Sequence, residues 1–179
     1  MDHHDHVELL RPAVEPGGTW LDAGAGTGAF TLALADLLGQ GGRIVAVDRD
    51  AGALREASSA MRDRFPGVTF EAVVADFTGV LDLPTLDGIV AANSLHFLRS
   101  DQQPEAIRRL AGHLRPGGAF TIVEYDADLG NPWVPHPFSA ARWPGIAAAA
   151  GLVGARSIGR VPSRFLGAIH SAVAYRPEA

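Results

Sequence analysis

Apolar runs of strand length alternate along the chain with longer stretches of helical spacing, and they predict five β-strands, at Thr19–Ala23, Arg43–Val47, Thr69–Val74, Leu86–Ala92 and Ala119–Glu124. The stretches between them predict three helices, at Ala29–Leu38, Asp50–Arg64 and Gln102–Leu114. Arg115–Gly118, with one proline and two glycines, is predicted to separate the third helix from the fifth strand. Ile44–Val47 is apolar at every position, as in a parallel sheet covered by helices on both faces. The alternation therefore predicts a doubly wound, Rossmann-like α/β fold.

The pattern changes in the last third of the chain. Residues 126–137 are rich in proline and glycine, which excludes a regular helix or a central strand there. A helix of small residues is predicted at Phe138–Ala150, followed by strands at Ala155–Val161 and Gly167–Tyr175. The connection between these strands, about five residues, is too short for a parallel crossover. The two strands are therefore predicted to pair antiparallel, which gives a mostly parallel sheet with one reversed strand.

Composition narrows the possible chemistry. The length of 179 residues fits one domain. The chain has no cysteine, which excludes disulfides, thiolate metal sites and cysteine nucleophiles. All 15 basic side chains are arginine, so mechanisms that need a lysine are excluded, and the net charge of −5 argues against binding to a nucleic-acid backbone.

The first 18 residues are predicted to form a leader or cap helix that starts near Val7, ahead of the main domain at residues 19–179. His3, His4 and His6 resemble a metal-binding tract only superficially, and we predict no metal site. No apolar run reaches the length of a membrane span, and the first residues lack the features of a secretory signal. These observations predict a cytoplasmic protein without a membrane partner.

A glycine-rich turn, Leu21–Ala29, follows the first strand and opens the first helix. Its alternating glycines permit a tight turn and allow a ligand to lie against bare backbone. The second strand ends at Asp48, 24 residues after Gly24, where a carboxylate can accept both ribose hydroxyls of an adenosine. Asp48 or Asp50 could instead simply cap the second helix. Together, the turn and the acidic residue predict an adenosine-type ligand.

Asp22, two residues before the first glycine, distinguishes between two such ligands. A carboxylate there would repel the pyrophosphate of a nicotinamide dinucleotide and attract a cationic ligand. S-adenosylmethionine carries an ammonium group and a sulfonium and has no phosphate. The electrostatics therefore favour this methyl donor over NAD.

From Thr19 to Tyr175, the chain resembles class I S-adenosylmethionine-dependent methyltransferases of the compact small-molecule type, similar to quinone-biosynthesis methyltransferases. Five segments in order carry the resemblance: Leu21–Gly28, Asp48, Ala75–Phe77, Ala92–Phe97 and Leu114–Gly118. It implies a seven-stranded sheet of order 3-2-1-4-5-7-6 with an antiparallel seventh strand. That order agrees with the reversed strand predicted above.

The resemblance also implies a set of ten donor-binding residues: Asp22, Gly24, Gly26, Thr27, Gly28, Asp48, Arg49, Asp76, Phe77 and Asn93. Asp48 would hold the ribose hydroxyls, and Asp76 would accept from the adenine amino group. Asn93 would present its backbone carbonyl toward the ammonium group. Arg49 would lie over one face of the adenine or, equally well, form a surface salt bridge.

The acceptor site is expected beyond the ends of the first, fourth and fifth strands, where His96, Glu124, Tyr125 and Asp126 lie. We predict His96 and Tyr125 as catalytic residues, with His96 as the general base because imidazole titrates near neutral pH. The alternative for His96 is a core histidine bonded to backbone. Trp133, in the proline-rich loop, either covers the site or fills a gap between helix and sheet.

The predicted function is in-line methyl transfer to a small organic acceptor, by a monomer or homodimer. The fourth strand is followed by Asn93–His96 rather than by the Asp/Asn-Pro-Pro-aromatic motif of amino-methylating nucleic-acid enzymes, and we predict no nucleic-acid partner. Two alternatives stay open at this point: an NAD(P)-dependent oxidoreductase, and a non-catalytic protein that binds the donor.

Overall fold

Seven strands form one sheet in the computed structural model, which describes residues 1–178. The strands are β1 (Thr19–Ala23), β2 (Arg43–Asp48), β3 (Thr69–Val74), β4 (Leu86–Ala92), β5 (Leu114–Tyr125), β6 (Val153–Pro162) and β7 (Ala168–Tyr175). The α-helices are α1 (His3–Leu10), α2 (Ala29–Leu38), α3 (Ala51–Arg64), α4 (Gln103–Ala111) and α5 (Trp143–Ala149). Each strand and each α-helix overlaps an element that was predicted from the sequence.

The sheet order is β3-β2-β1-β4-β5-β7-β6, which confirms the predicted topology. The pairs from β3 to β5 are parallel, whereas β7 runs antiparallel to both β5 and β6. The chain order reverses between β1 and β4. In open α/β sheets, ligands bind in the crevice outside the carboxyl ends of the strands at such a point.

Two apolar clusters fix the helices on opposite faces of the sheet. On one face, α1, α2 and α3 contribute residues such as Leu9, Leu34 and Met61. On the other face, α4 and α5 pack Ile107 and Trp143 against the strands. Because both faces of the central strands are covered, those strands are mostly apolar, as the sequence indicated.

Local hydrogen bonds set two helix starts. Helix α3 begins after Asp50, whose carboxylate accepts from the amides of Gly52 (2.8 Å) and Ala53 (3.1 Å). Asp50 is therefore the cap, and Asp48 is left for another role. Helix α1 starts at His3 rather than near Val7, because Asp2 and Asp5 form a reciprocal capping box ahead of it.

Two other boundaries differ from the sequence predictions because of tertiary contacts. Helix α5 starts at Trp143 rather than at Phe138, since the amides of Ser139 and Ala140 bond to carboxylates of the preceding loop. Strand β5 already starts at Leu114, which pairs with Leu86 before an irregularity shifts the register. The segment predicted to separate helix and strand is thus part of β5. Within residues 1–178, no helix combines the length and apolar character needed to cross a membrane.

Candidate active site

A cavity of about 450 Å³ opens at the carboxyl ends of β1 to β4, where the chain order reverses. Seven of the residues predicted to bind the donor line it: Gly24, Gly26, Asp48, Arg49, Asp76, Phe77 and Asn93. Five further lining residues were not among those predicted to bind the donor: Ala75, Thr78, Ser94, Phe97 and Leu98. The structure thus brings together residues from four strand ends that are far apart in the sequence.

The glycine turn forms one wall of this cavity. Gly24 has a φ of +81°, and a Cβ there would lie 2.5 Å from the Cβ of Ser94, so only glycine fits. Gly26 has a φ of +52° and faces open space, with nothing within 4 Å of a Cβ built on it. The turn therefore presents bare backbone to a ligand, as the sequence predicted. Thr27 and Gly28 lie outside the cavity lining, and their contribution to donor binding stays a prediction.

Asp48 connects the turn to the second strand. Its Oδ2 accepts from the Gly26 amide and its Oδ1 from the Asp50 amide, both at 2.8 Å. The carboxylate thus holds the glycine turn in shape and also lines the cavity. Each oxygen keeps a lone pair that can accept from a ligand hydroxyl, so the geometry fits the predicted ribose contact.

Asp22 is almost completely buried, with 1% of its surface exposed, and does not line the cavity. Its Oδ2 accepts from the Thr31 hydroxyl at 2.6 Å, whereas its Oδ1 has no partner in the described part of the chain. Burial raises the pKa of Asp22 to about 6; the Thr31 hydrogen bond opposes this rise, and the charge of Asp48 adds to it. An enclosed, unpartnered carboxylate oxygen fits a cationic ligand nearby.

The third strand end supplies Asp76, Phe77 and Thr78. Asp76 Oδ1 accepts from the hydroxyl (2.7 Å) and the amide (2.9 Å) of Thr78, and these bonds lower the pKa of Asp76. Its second oxygen accepts no hydrogen bond from residues 1–178 and can accept from a ligand amino group. Arg49 lines the same cavity and forms no ion pair within those residues, so the surface salt bridge considered above is not found.

A sharp turn after β4 forms the opposite wall. Asn93 has a φ of +51°, and its side-chain Oδ1 is buried without a partner among the described residues. The Ser94 hydroxyl donates to the Ala23 carbonyl at 2.8 Å, which ties this turn to the end of β1. Phe97, although apolar, is 58% exposed and lines the cavity.

His96 and Glu124 form a buried pair behind this turn. They are 3% and 0% exposed, and His96 Nδ1 lies 2.8 Å from Glu124 Oε2. The other carboxylate oxygen accepts from the backbone amides of Leu95 (3.1 Å) and His96 (3.2 Å). His96 Nε2 has no hydrogen-bond partner in the described chain, and it keeps some accessible surface. His96 does not line the cavity, but its ring centroid lies 4.3 Å from that of Phe97, which does.

Tyr125 completes this region, with its ring centroid 5.8 Å from that of His96. Burial, reinforced by the negative charge of Glu124, raises the pKa of Tyr125 above its ordinary value. The hydroxyl is therefore protonated at neutral pH and acts as a donor rather than a base. Asp126, the remaining candidate, is engaged by the Ala140 amide (3.0 Å) and Arg160 (2.9 Å) and anchors the following loop.

The amino-terminal histidines lie elsewhere. His3 is 3.4 Å from Asp36, and the His6 ring is 4.6 Å from that of Phe30, both on α2. No group of three or more His, Cys, Asp or Glu side chains in residues 1–178 is arranged to hold a metal ion.

Comparison with known proteins identifies relatives of this chain. A family model for a methyltransferase domain matches residues 21–118, more than half of the chain. The chain is 36% identical over 105 residues to the cypemycin N-terminal methyltransferase of a Streptomyces species, covering 58% of this chain and 40% of that protein. It is also 36% identical over 127 residues to the ribosomal protein L11 methyltransferase of Pelotomaculum thermopropionicum, covering 69% of this chain and 38% of that protein. The chain spans about two fifths of the length of these curated relatives.

Solved structures with the same fold cover nearly the whole chain. The 1,6-didemethyltoxoflavin-N1-methyltransferase of Burkholderia thailandensis superposes with a TM-score of 0.75 at 21% identity, covering 98% of this chain and 78% of that one. The N-methyltransferase NodS of Bradyrhizobium japonicum gives 0.73 at 20% identity, covering 98% and 86%.

The family match, the sheet order and the glycine turn agree with one another. The similarity to quinone-biosynthesis methyltransferases stays a prediction. This chain belongs to the methyltransferase-domain family and has the class I methyltransferase fold.

Proposed function

We propose that the protein transfers a methyl group from S-adenosylmethionine to a small organic acceptor. The observation that carries this proposal is the placement of three carboxylates: Asp48 and Asp76 line the cavity, and Asp22 is buried just ahead of the glycine turn. They suit the ammonium, ribose hydroxyl and adenine amino groups of the donor, and they would repel the phosphates of a nicotinamide dinucleotide. When bound, S-adenosylmethionine supplies a methyl group on a positively charged sulfur, which an acceptor attacks in line.

The acceptor side of the site is apolar. Phe97 and Trp133 are 58% and 79% exposed, whereas the other two tryptophans, Trp20 and Trp143, are buried. The loop that carries Trp133 lies against the turn after β4, because the His136 amide donates to the His96 carbonyl at 3.0 Å. These residues suit an acceptor with an apolar body. The similar Burkholderia structure contains 1,6-didemethyltoxoflavin with S-adenosylhomocysteine, which agrees with a small acceptor.

The chain provides one group for proton transfer. In its neutral form, His96 can accept a proton at Nε2, while Glu124 accepts the hydrogen on Nδ1. The protonated hydroxyl of Tyr125 can orient the acceptor by donating a hydrogen bond. Asp48 and Asp76 hold the donor, and the exposed ring of Phe97 lines the same cavity.

A transfer assay tests this proposal. Purified protein is incubated with S-adenosylmethionine carrying a labelled methyl group and with a panel of phenols, quinols, amines and thiols. We expect labelled product with at least one apolar member of the panel. Donor binding without any transfer would instead favour the non-catalytic alternative. A cytoplasmic location, a monomeric or homodimeric state and the lack of a nucleic-acid partner stay predictions.

Replacing Asp48 by alanine is expected to weaken binding of S-adenosylhomocysteine by about 1–3 kcal/mol. The variant loses the ribose contacts and also the bond that holds the Gly26 amide. Isothermal titration of both proteins measures the change. The exposed Asp63 on α3, far from this turn in the sequence, provides the matched control Asp63→Ala. Equal affinities of wild type and Asp48→Ala would contradict the assignment.

Replacing Trp133 by alanine is expected to raise the KM of the panel acceptor about tenfold. Loss of an aromatic contact of this size corresponds to about 1.4 kcal/mol. Affinity for S-adenosylhomocysteine should stay within twofold, since Trp133 does not line the donor cavity. The control is Val153→Ala, another exposed apolar residue, which lies on the edge strand β6 and pairs with Tyr175 of β7. An unchanged KM would remove Trp133 from the acceptor site.

A further inference from the structure

Two completely buried polar side chains hold the turn after β4 from opposite sides. Glu124, near the end of β5, accepts from the amides of Leu95 and His96 and from His96 Nδ1. Gln103, the first residue of α4, donates from Nε2 to carbonyls of the same region: His136 (2.9 Å), Leu98 (3.2 Å) and Leu95 (3.3 Å). One side chain thus satisfies backbone donors and the other satisfies backbone acceptors.

Both side chains are polar at positions that are completely buried, where packing alone would favour apolar residues. A buried carboxylate carries a large desolvation cost, which its three hydrogen bonds offset only in part. Gln103 leaves its Oε1 buried without a partner in the described chain, which costs about 1–3 kcal/mol. Apolar residues of the same size would avoid these two costs, but they would leave the backbone groups of the turn without these partners. The role of the two side chains is therefore to bind the backbone groups of this turn and fix its position.

The position of this turn links three parts of the site. Its residues Phe97 and Leu98 wall the donor cavity, and its histidine carries the unpartnered Nε2. Through the His136 carbonyl, Gln103 also holds the loop that carries Trp133. A displacement at either buried side chain would thus be transmitted to both the base and the acceptor loop.

We propose that Glu124 and Gln103 are positioning residues for the base His96. Glu124 fixes the neutral imidazole with its hydrogen on Nδ1, which leaves the Nε2 lone pair to take a proton. Gln103 keeps the acceptor loop against the same turn. This inference rests on the proposed function and specifies its substrate class.

The substrate class follows from the need for a base. An acceptor hydroxyl or amine loses a proton when it is methylated. Its lone pair forms the bond to the methyl carbon, the carbon–sulfur bond breaks with its electron pair going to sulfur, S-adenosylhomocysteine leaves, and the proton goes to His96 Nε2. A carboxylate acceptor has no proton to lose, and the negative charge of Glu124 would repel it. The acceptor is therefore an apolar molecule that carries a hydroxyl or an amine.

The variant Glu124→Gln tests the role of the carboxylate. Its amide oxygen can still accept from the two backbone amides, but its NH₂ then faces Nδ1 and has to donate. The imidazole hydrogen should therefore move to Nε2, which removes the lone pair that takes the proton. We expect kcat for the panel acceptor to fall about 100-fold, with the affinity for S-adenosylhomocysteine within twofold. Glu56→Gln, on the exposed side of α3, is the matched control.

Nitrogen NMR of the imidazole reads the tautomer directly and needs no acceptor. In ¹⁵N-histidine-labelled protein, a His96→Asn sample identifies the His96 signals among those of the seven histidines. The wild type should carry the hydrogen on Nδ1 near neutral pH, and Glu124→Gln should carry it on Nε2. A wild-type imidazole with its hydrogen on Nε2 would overturn the proposal even if the variant does not fold. An unchanged tautomer in a folded Glu124→Gln variant would also overturn the proposal.

The variant Gln103→Met, of similar size but without donors, tests the second residue. We expect faster hydrogen exchange at the amides of Leu98 and His136, and a KM for the panel acceptor raised about fivefold or more. Unchanged exchange and KM would show that Gln103 only fills space. Failure of the wild type to bind S-adenosylhomocysteine would contradict the proposed function itself, which separates that failure from a failure of this inference.

Discussion

Replacing His96 by asparagine should lower turnover of the panel acceptor by about 100-fold to 10,000-fold, the range contributed by a positioned general base. The asparagine amide nitrogen takes the place of Nδ1 and keeps a donor toward Glu124, so the turn is expected to persist. The substitution removes Nε2, the ring nitrogen without a partner, together with the ring carbon Cε1. Turnover is measured under saturating donor, and titration with S-adenosylhomocysteine should give an affinity within twofold of the wild type.

A matched control separates chemistry from packing. His113 lies between α4 and β5, at the amino edge of the sheet, and His113→Asn should leave turnover unchanged. If His96→Asn loses donor affinity and thermal stability as much as turnover, His96 is a core histidine, as in the alternative reading of the sequence. Retained turnover would exclude it as the base.

Replacing Asp22 by asparagine should make the protein more stable at neutral pH while weakening donor binding. The folded-state pKa of Asp22 is raised from 3.8 to about 6, which corresponds to about 3 kcal/mol of lost stability once the group is ionised. Between these two values the folded protein binds more protons at Asp22 than the unfolded chain. The contribution of Asp22 to stability therefore falls as pH rises from about 4 to about 6.

Urea unfolding at several pH values measures this effect. The free energy of unfolding of Asp22→Asn relative to wild type should increase between pH 4 and pH 7 and then level off. Asp63→Asn, an exposed control on α3, should show no such pH dependence relative to wild type. The same Asp22 variant should bind S-adenosylhomocysteine about tenfold more weakly, because a charge that attracts the ammonium group is lost. A pH-independent difference in stability would contradict the raised pKa.

Sequence patterns predicted most of the fold because each central strand is a mostly apolar run. Such runs, separated by helical spacing, leave few arrangements of a parallel sheet. The start of α5 could not be predicted in this way. It is set by carboxylates of Asp126 and Asp128, which bond to the amides of Ala140 and Ser139 more than ten residues away. The start of α1 was within reach, since Asp2 and Asp5 have the spacing of a capping box.

The donor side of the site was also largely predictable. Gly24, Gly26 and Asp48 belong to one sequence pattern, a glycine turn followed 24 residues after Gly24 by an acidic residue at a strand end. The structure places all three on the cavity. Thr78 was missed, although a threonine two residues after Asp76 is a known turn pattern. The hydrogen bonds from Gln103 to the turn after β4 could not be predicted, because no sequence pattern indicates which backbone carbonyls a buried side-chain amide will bind.

Isothermal titration of the wild-type protein with S-adenosylhomocysteine and, separately, with NADH tests the central claim most directly. The carboxylates around the glycine turn should give saturable binding of S-adenosylhomocysteine with one site per chain, and no measurable binding of NADH. Saturable binding of NADH, with no heat from S-adenosylhomocysteine, would contradict the assignment of this cavity to the methyl donor.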